Sequence, residues 1–154
     1  MKLRFLLIVL LLLSFNIIRA QSQEDSEISK FNANIELGFG TFSLVAANFE
    51  VHFADSDSGK INWYGKAGFG FAEEFMGESG LGGLGAVTML TGKRKHHFET
   101  SGGIFIGSGS YGDLLVLPLL DLGYRYQKPG GGFIFRGKIG VFSLGVGIGI
   151  GYAF

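Results

Sequence analysis

Cysteine is absent from the 154 residues, and proline occurs only at Pro118 and Pro129. Without cysteine the chain has no disulfide framework and no cysteine-linked lipid anchor. Charge of one sign is also missing: 13 basic residues stand against 13 acidic ones. If a leader carrying Lys2, Arg4 and Arg19 is removed, ten basic residues remain against 13 acidic, a net charge of −3. That balance excludes the basic footprint of a nucleic-acid binder. Long apolar runs are scarce as well. Residues 5–13 form one, and nothing after them reaches the roughly 20 residues a spanning helix needs.

Glycine and phenylalanine are abundant, with 27 and 16 copies. So much glycine, against an average of about 7%, would suggest low complexity if it stood alone. Here it alternates with large apolar residues. The clearest case is residues 143–154, S-L-G-V-G-I-G-I-G-Y-A-F. Leu144, Val146, Ile148, Ile150, Tyr152 and Phe154 fall on one face at period two, and glycines or Ala153 fall on the other. Period two is the signature of a strand. A strand with one large apolar face and one nearly bare face suits a wall with lipid outside and a crowded lumen inside.

The remaining chain extends the pattern. Residues 1–20 read as a secretory signal peptide: a basic start, an apolar run, and the small Ala20 before a cut. Residues 21–31 read as a mobile periplasmic tail, and residues 32–154 as one barrel domain. Eight strand-like segments are expected near 32–40, 44–53, 61–71, 81–90, 98–106, 116–127, 133–142 and 143–154. The facing of 81–90 is ambiguous, and Pro118 falls near the start of the sixth segment, where a missing donor is tolerable. Lengths of about 9 to 11 residues match a tilted strand crossing hydrocarbon. The fold class is therefore all-β, an eight-stranded antiparallel transmembrane up-and-down β-barrel. An even count puts both termini on the periplasmic side, with short turns at 54–60, 92–97 and 128–131. Outer loops are expected at 41–43, 73–80, 107–115 and 142–143, too short for a large binding platform.

The second face of the strands carries charge. The phases turn Glu36, Glu50, Glu99 and Asp121 inward, together with Lys66, Arg125, Arg136 and Lys138. On the lipid face a Lys or Arg would cost about 2–4 kcal/mol at the midplane. Eight strands leave an interior just wide enough for side chains. The eight charges therefore read as a lumenal ion-pair network that plugs the barrel, with a narrow polar conduit as the alternative. Gly145, Gly147, Gly149 and Gly151 either make room for long inward side chains or permit sharp curvature. His96-His97, beside Lys93-Arg94-Lys95, reads as an interfacial turn that touches lipid phosphates or peptidoglycan, or nothing. Two adjacent histidines without regularly spaced partners do not make a metal site. The acidic outer positions Glu73, Glu74, Glu78 and Asp113 match no calcium loop and read as solvated charge. Glycine runs at 68–70 and 82–85 lie in strand patterns with no following helix, which excludes a nucleotide loop. No cofactor is implied, and no nucleophile–base arrangement organises the serines and histidines.

The stretch Leu90-Thr-Gly-Lys-Arg-Lys-His-His-Phe-Glu99, then Gly123-Tyr-Arg-Tyr-Gln-Lys-Pro129 and Gly131-Gly-Phe-Ile-Phe-Arg136, resembles a family of small, largely uncharacterised bacterial outer-membrane β-barrel proteins. The closing Gly151-Tyr152-Ala153-Phe154 is similar to that family's last element. The chain departs from the family in a shortened last hairpin, without the proline and tryptophan expected before the final strand. The resemblance implies a barrel in the bacterial outer membrane, in contact with its lipid. It also implies a terminal signal, Tyr152 and Phe154, read by the barrel-assembly machinery. It implies no activity. The expectation is a monomeric, non-enzymatic barrel with a structural or surface-interaction role in the envelope. The alternatives are a narrow pore for small solutes, a lipid-active outer-membrane enzyme, and a soluble periplasmic barrel.

Overall fold

The computed structural model describes residues 28–56, 61–75, 77–110, 112–141 and 145–154. The expected signal peptide at 1–20, most of the expected tail at 21–31 and the expected outer hairpin at 142–143 lie outside the described residues. The fold is all-β: β1 (Phe31–Phe39), β2 (Phe42–Asp55), β3 (Ile61–Glu74), β4 (Ser79–Lys93), β5 (His96–Gly109), β6 (Leu114–Gln127), β7 (Gly132–Gly140) and β8 (Gly145–Ala153). Each strand pairs antiparallel with its chain neighbour, and β8 pairs with β1 to close the barrel. Closure gives every strand two neighbours, so backbone groups are satisfied within the wall wherever both neighbours reach.

Register carries the wall upward as it goes round. Asn32 lies opposite Glu50, Glu50 opposite Lys66, Lys66 opposite Ala86, Ala86 opposite Gly103, and Gly103 opposite Leu119. From the end that carries the termini, Asn32 is the second residue of β1, whereas Leu119 is the ninth of β6. This stagger is the strand tilt that a closed barrel requires.

Strand lengths differ from the sequence expectation. β1, β7 and β8 have nine residues, but β2, β3, β5 and β6 have 14 and β4 has 15. The long hairpins keep pairing past the point where the apolar alternation fades, because backbone bonding needs no particular side chain. Glu73 and Glu74 thus end β3 instead of opening a loop, and Asp55 ends β2. The expected turn at 92–97 shrinks to Arg94 and Lys95, since Lys93 already pairs with His96. The tail also differs at its end. Ser29 is buried, and its carbonyl accepts a 2.9 Å bond from the Tyr64 hydroxyl, while the Lys30 carbonyl accepts from the His52 N–H at 2.8 Å.

Pro118 is the fifth residue of β6, not near its edge. Its tolerance has another cause. β7 pairs only with residues 121–127 of β6, and the Val141 N–H reaches the Leu120 carbonyl at 2.7 Å. Alternate residues of a strand direct their backbone groups to the same side. Pro118 therefore turns its donor-less nitrogen toward the side where β7 no longer reaches.

The outer surface is apolar all round. Ile35, Phe49, Phe69, Val87, Ile104, Leu122, Phe135 and Ile148 are each more than 40% exposed, and together they sample every strand. On β4 the facing resolves: Leu84, Thr88 and Leu90 point inward, and Leu81 and Val87 outward. The interior has two layers. At the end far from the termini, Ala46, Ala72, Leu84, Phe105, Leu115 and Leu117 form an apolar cluster, with Phe42, Leu44 and Leu119 packed on it. Toward the termini the interior is polar and charged. Sequence periodicity missed the apolar layer. The run at 114–120 is apolar on both faces because one meets the surroundings and the other meets this cluster.

Candidate functional site

The eight inward charges lie in the polar layer and come from β1, β2, β3, β5, β6 and β7. Lys66 Nζ is 2.9 Å from Glu36 and 3.6 Å from Glu50. Arg125 is 2.9 Å from Glu50 and 3.6 Å from Glu99. Arg136 is 2.6 Å from Glu36 and 3.5 Å from Glu99, and it also bonds Glu50 through its second nitrogen. Lys138 joins Glu36 at 2.7 Å to Asp121 at 2.9 Å. All eight sequence-predicted charges thus meet in one connected set. Four acids face four bases, so the set is formally neutral.

Burial grades along it. Glu50, Arg125 and Arg136 have no exposed surface, whereas the Lys138 and Asp121 side chains retain 10% and 21%. A buried charge is tolerated only when paired and hydrogen-bonded. Arg136, reaching three carboxylates, is the hub. Neutral groups surround the lower half. The Arg125 guanidinium lies 5.3 Å from the centre of the Tyr64 ring, and its other nitrogen donates at 2.7 Å to the Asn32 amide oxygen in the orientation that satisfies that amide. Thr88 and Ser101 share a hydrogen bond between β4 and β5. Toward the far end, Lys138 and Asp121 floor a recess walled by Phe42, Leu44, Pro118, Leu119 and Val146.

The bare face of β8 has a specific use. Gly149 lies opposite Glu36 on β1 and opposite Arg136 on β7. The Glu36–Arg136 pair therefore bridges two strands directly over it. A Cβ at Gly149 would sit 3.2 Å from Glu36 Cγ and 3.5 Å from Arg136 Cδ, and one at Gly147 would sit 3.5 Å from Lys138 Cε. These two glycines make room for long side chains. Gly145 and Gly151 instead abut the β1 backbone. Gly149→Leu is expected to wedge the pair apart and cost about 1–3 kcal/mol, the usual penalty for overpacking. A urea-unfolding midpoint unchanged from wild type would contradict this role.

No family model, curated protein or solved structure matches this chain. Among the described residues, no group of three or more His, Asp or Glu side chains is arranged to hold a metal ion. His96 and His97 are split by the strand: His96 is exposed on the outer face and His97 is buried toward the lumen. His52 bonds Asp55 at 2.9 Å and meets the Tyr64 ring edge-on. Tyr152 and Phe154 both lie on the outer face, with ring centres 5.2 Å apart, and the Phe154 N–H donates to the Phe31 carbonyl at 2.8 Å. What the eight charges do chemically is fill and tie. Fully buried Arg125, Arg136 and Glu50 block one layer of the lumen, and fully buried Phe105 with its leucine neighbours blocks the next.

Proposed function

We propose that this chain is an integral outer-membrane barrel, exported by its leader, with a non-enzymatic structural or surface-interaction role in the envelope. The observation that carries the reading is the inverted polarity of the closed wall. Phenylalanine, isoleucine, leucine and valine cover the outside, and the ion pairs are inside. Water would leave that outer band uncompensated, whereas hydrocarbon matches it. The strands that reach the seam, at nine residues, fit the span of a tilted crossing of about 9 to 11. The likeness of the second-half motifs to small outer-membrane barrels supports the same location. Tyr152 and Phe154, presented at the end of β8, suit recognition by the assembly machinery. The termini then lie in the periplasm, and the acidic ends near Glu74, Glu78 and Asp113 face outward.

The serial plugs favour a closed wall over the narrow pore. Purified protein in planar bilayers is expected to stay silent at all voltages, and discrete conductance steps would restore the pore. Location is tested by washing membranes with carbonate or urea and by heat-modifiable migration on a gel. Retention with a heat-dependent shift is expected. Release by osmotic shock would instead mark a soluble periplasmic barrel.

A further inference from the structure

The end of the barrel that carries the termini is basic over one sector. Arg94 and Lys95 form the two-residue turn between β4 and β5. The Gln127 N–H donates to the Lys95 carbonyl at 3.0 Å, which sets Lys128, the next residue, beside that turn. Arg94, Lys95 and Lys128 are all exposed. Among the described residues, the acid at this end is Asp55, which lies on β2 and is engaged by His52.

The turn is held in shape from inside. Arg94 adopts a positive φ of 59°, uncommon for a residue with a side chain. Its carbonyl oxygen bonds the Nε2 of buried His97 at 3.1 Å. Next to the cations is an amphipathic shelf on the outer face. His96 Nδ1 lies 2.6 Å from the Tyr124 hydroxyl, and the His96 ring centre is 5.9 Å from both Tyr124 and Tyr126. Further along the wall, Gly137 lies opposite Tyr124 on one side and Ile148 on the other. A Cβ there would meet nothing within 4 Å. The fold does not require glycine at 137, yet its absence of bulk leaves a shallow furrow flanked by Phe135 and Ile139.

Cations, then hydroxyl-bearing rings, then an apolar furrow follow one another along the wall in the order of a phospholipid's phosphate, glycerol region and acyl chain. We propose that this sector holds an anionic phospholipid of the leaflet next to the termini. Its phosphate meets Arg94, Lys95 and Lys128, its ester region meets the His96–Tyr124 pair, and one chain lies over Gly137. Aromatic rings at headgroup depth and cations just beyond them are the arrangement such lipids favour. The proposal rests on the outer-membrane reading.

The test uses folded mature protein in mild detergent, with phosphatidylglycerol or phosphatidylcholine added and retained lipid counted by native mass spectrometry. Phosphatidylglycerol is expected to be retained at least about tenfold better, with about fivefold lost for each of Arg94→Gln, Lys95→Gln and Lys128→Gln. Gly137→Leu is expected to weaken both lipids while keeping the heat-modifiable shift that reports folding. Equal retention of the two lipids, or variants indistinguishable from wild type, would overturn the proposal. So would displacement of the lipid by millimolar glycerol phosphate, which would mark a site for a free anion. These failures leave the outer-membrane reading standing if the protein resists carbonate extraction. Release by carbonate sinks that reading and this one together.

Discussion

Arg136→Met is expected to destabilise the barrel by about 3–5 kcal/mol, the cost of removing one partner from a buried ion pair. The side chain it removes contacts Glu36, Glu50 and Glu99, and neither Arg136 nor Glu50 has exposed surface. Its loss leaves four carboxylates, Glu36, Glu50, Glu99 and Asp121, with three cations, Arg125, Lys66 and Lys138, an excess of one negative charge in a closed space. The methionine stem fills part of the volume, so the effect reports charge more than a cavity. Urea unfolding in lipid vesicles, followed by the fluorescence of Trp63, the single tryptophan, measures it. The paired change Glu50→Gln with Arg136→Met separates the two contributions. It restores neutrality and is expected to recover at least half of the loss, because the penalty of an unpaired buried charge exceeds the net worth of the pair. A single-variant cost below about 1 kcal/mol, the ceiling of an exposed pair, would show that the lumen is wet and screened.

The second large effect is one of sign. Ile148, 53% exposed, lies at the middle of β8 on the outer face. Ile148→Arg is expected to cost about 2–4 kcal/mol if hydrocarbon surrounds the wall. A barrel in water would gain solubility from the same change and lose almost no stability. The substitution leaves the lumen untouched, so its result is independent of the Arg136 experiment. Unfolding in vesicles gives the stability, and the fraction of protein in the outer-membrane fraction gives the consequence in cells. A variant as stable and as well localised as wild type would sink the lipid-facing assignment.

Periodicity made most of this legible. The alternation of Leu, Val, Ile and Tyr with glycine on β8, and of Phe with Asn and Glu on β1 and β2, fixes which side of each strand faces out. Once the facing is known, the inward charges follow, since all eight fall on one phase. What the sequence left open is where pairing stops. Backbone hydrogen bonds carry β2 to β6 past the apolar band, so Glu73, Asp55 and His97 sit in strands although their chemistry reads as loop. The ambiguous facing of β4 has a similar source. Its glycines occur on both faces, and only Thr88 opposite Ser101 and Leu84 near Phe105 settle the phase. The apolar layer was hidden because a strand with leucine on both faces has no alternation to read. Specific pairings across the lumen, such as Arg136 with Glu36, join residues that no local pattern connects.

For the outer-membrane barrel proposed above, the unequal strands have a consequence for the bilayer around it. Among the described residues, the apolar outer surface between β3 and β6 rises through Phe71, Leu81, Ile106, Val116 and Leu114, whereas at β7, β8 and β1 its last described members are Val141, Val146 and Phe39. The hydrophobic height is therefore greater on one flank than on the other. A bilayer of uniform thickness cannot match both. The mismatch is met by leaning the barrel toward its tall flank or by thinning the leaflet beside the seam, each at a fraction of a kcal/mol per ångström. On the outer-membrane reading proposed above, the molecule would act on its lipids as a wedge. It would gather shorter or more compressible chains next to β8 and longer ones next to β4, a lateral sorting built from strand length alone.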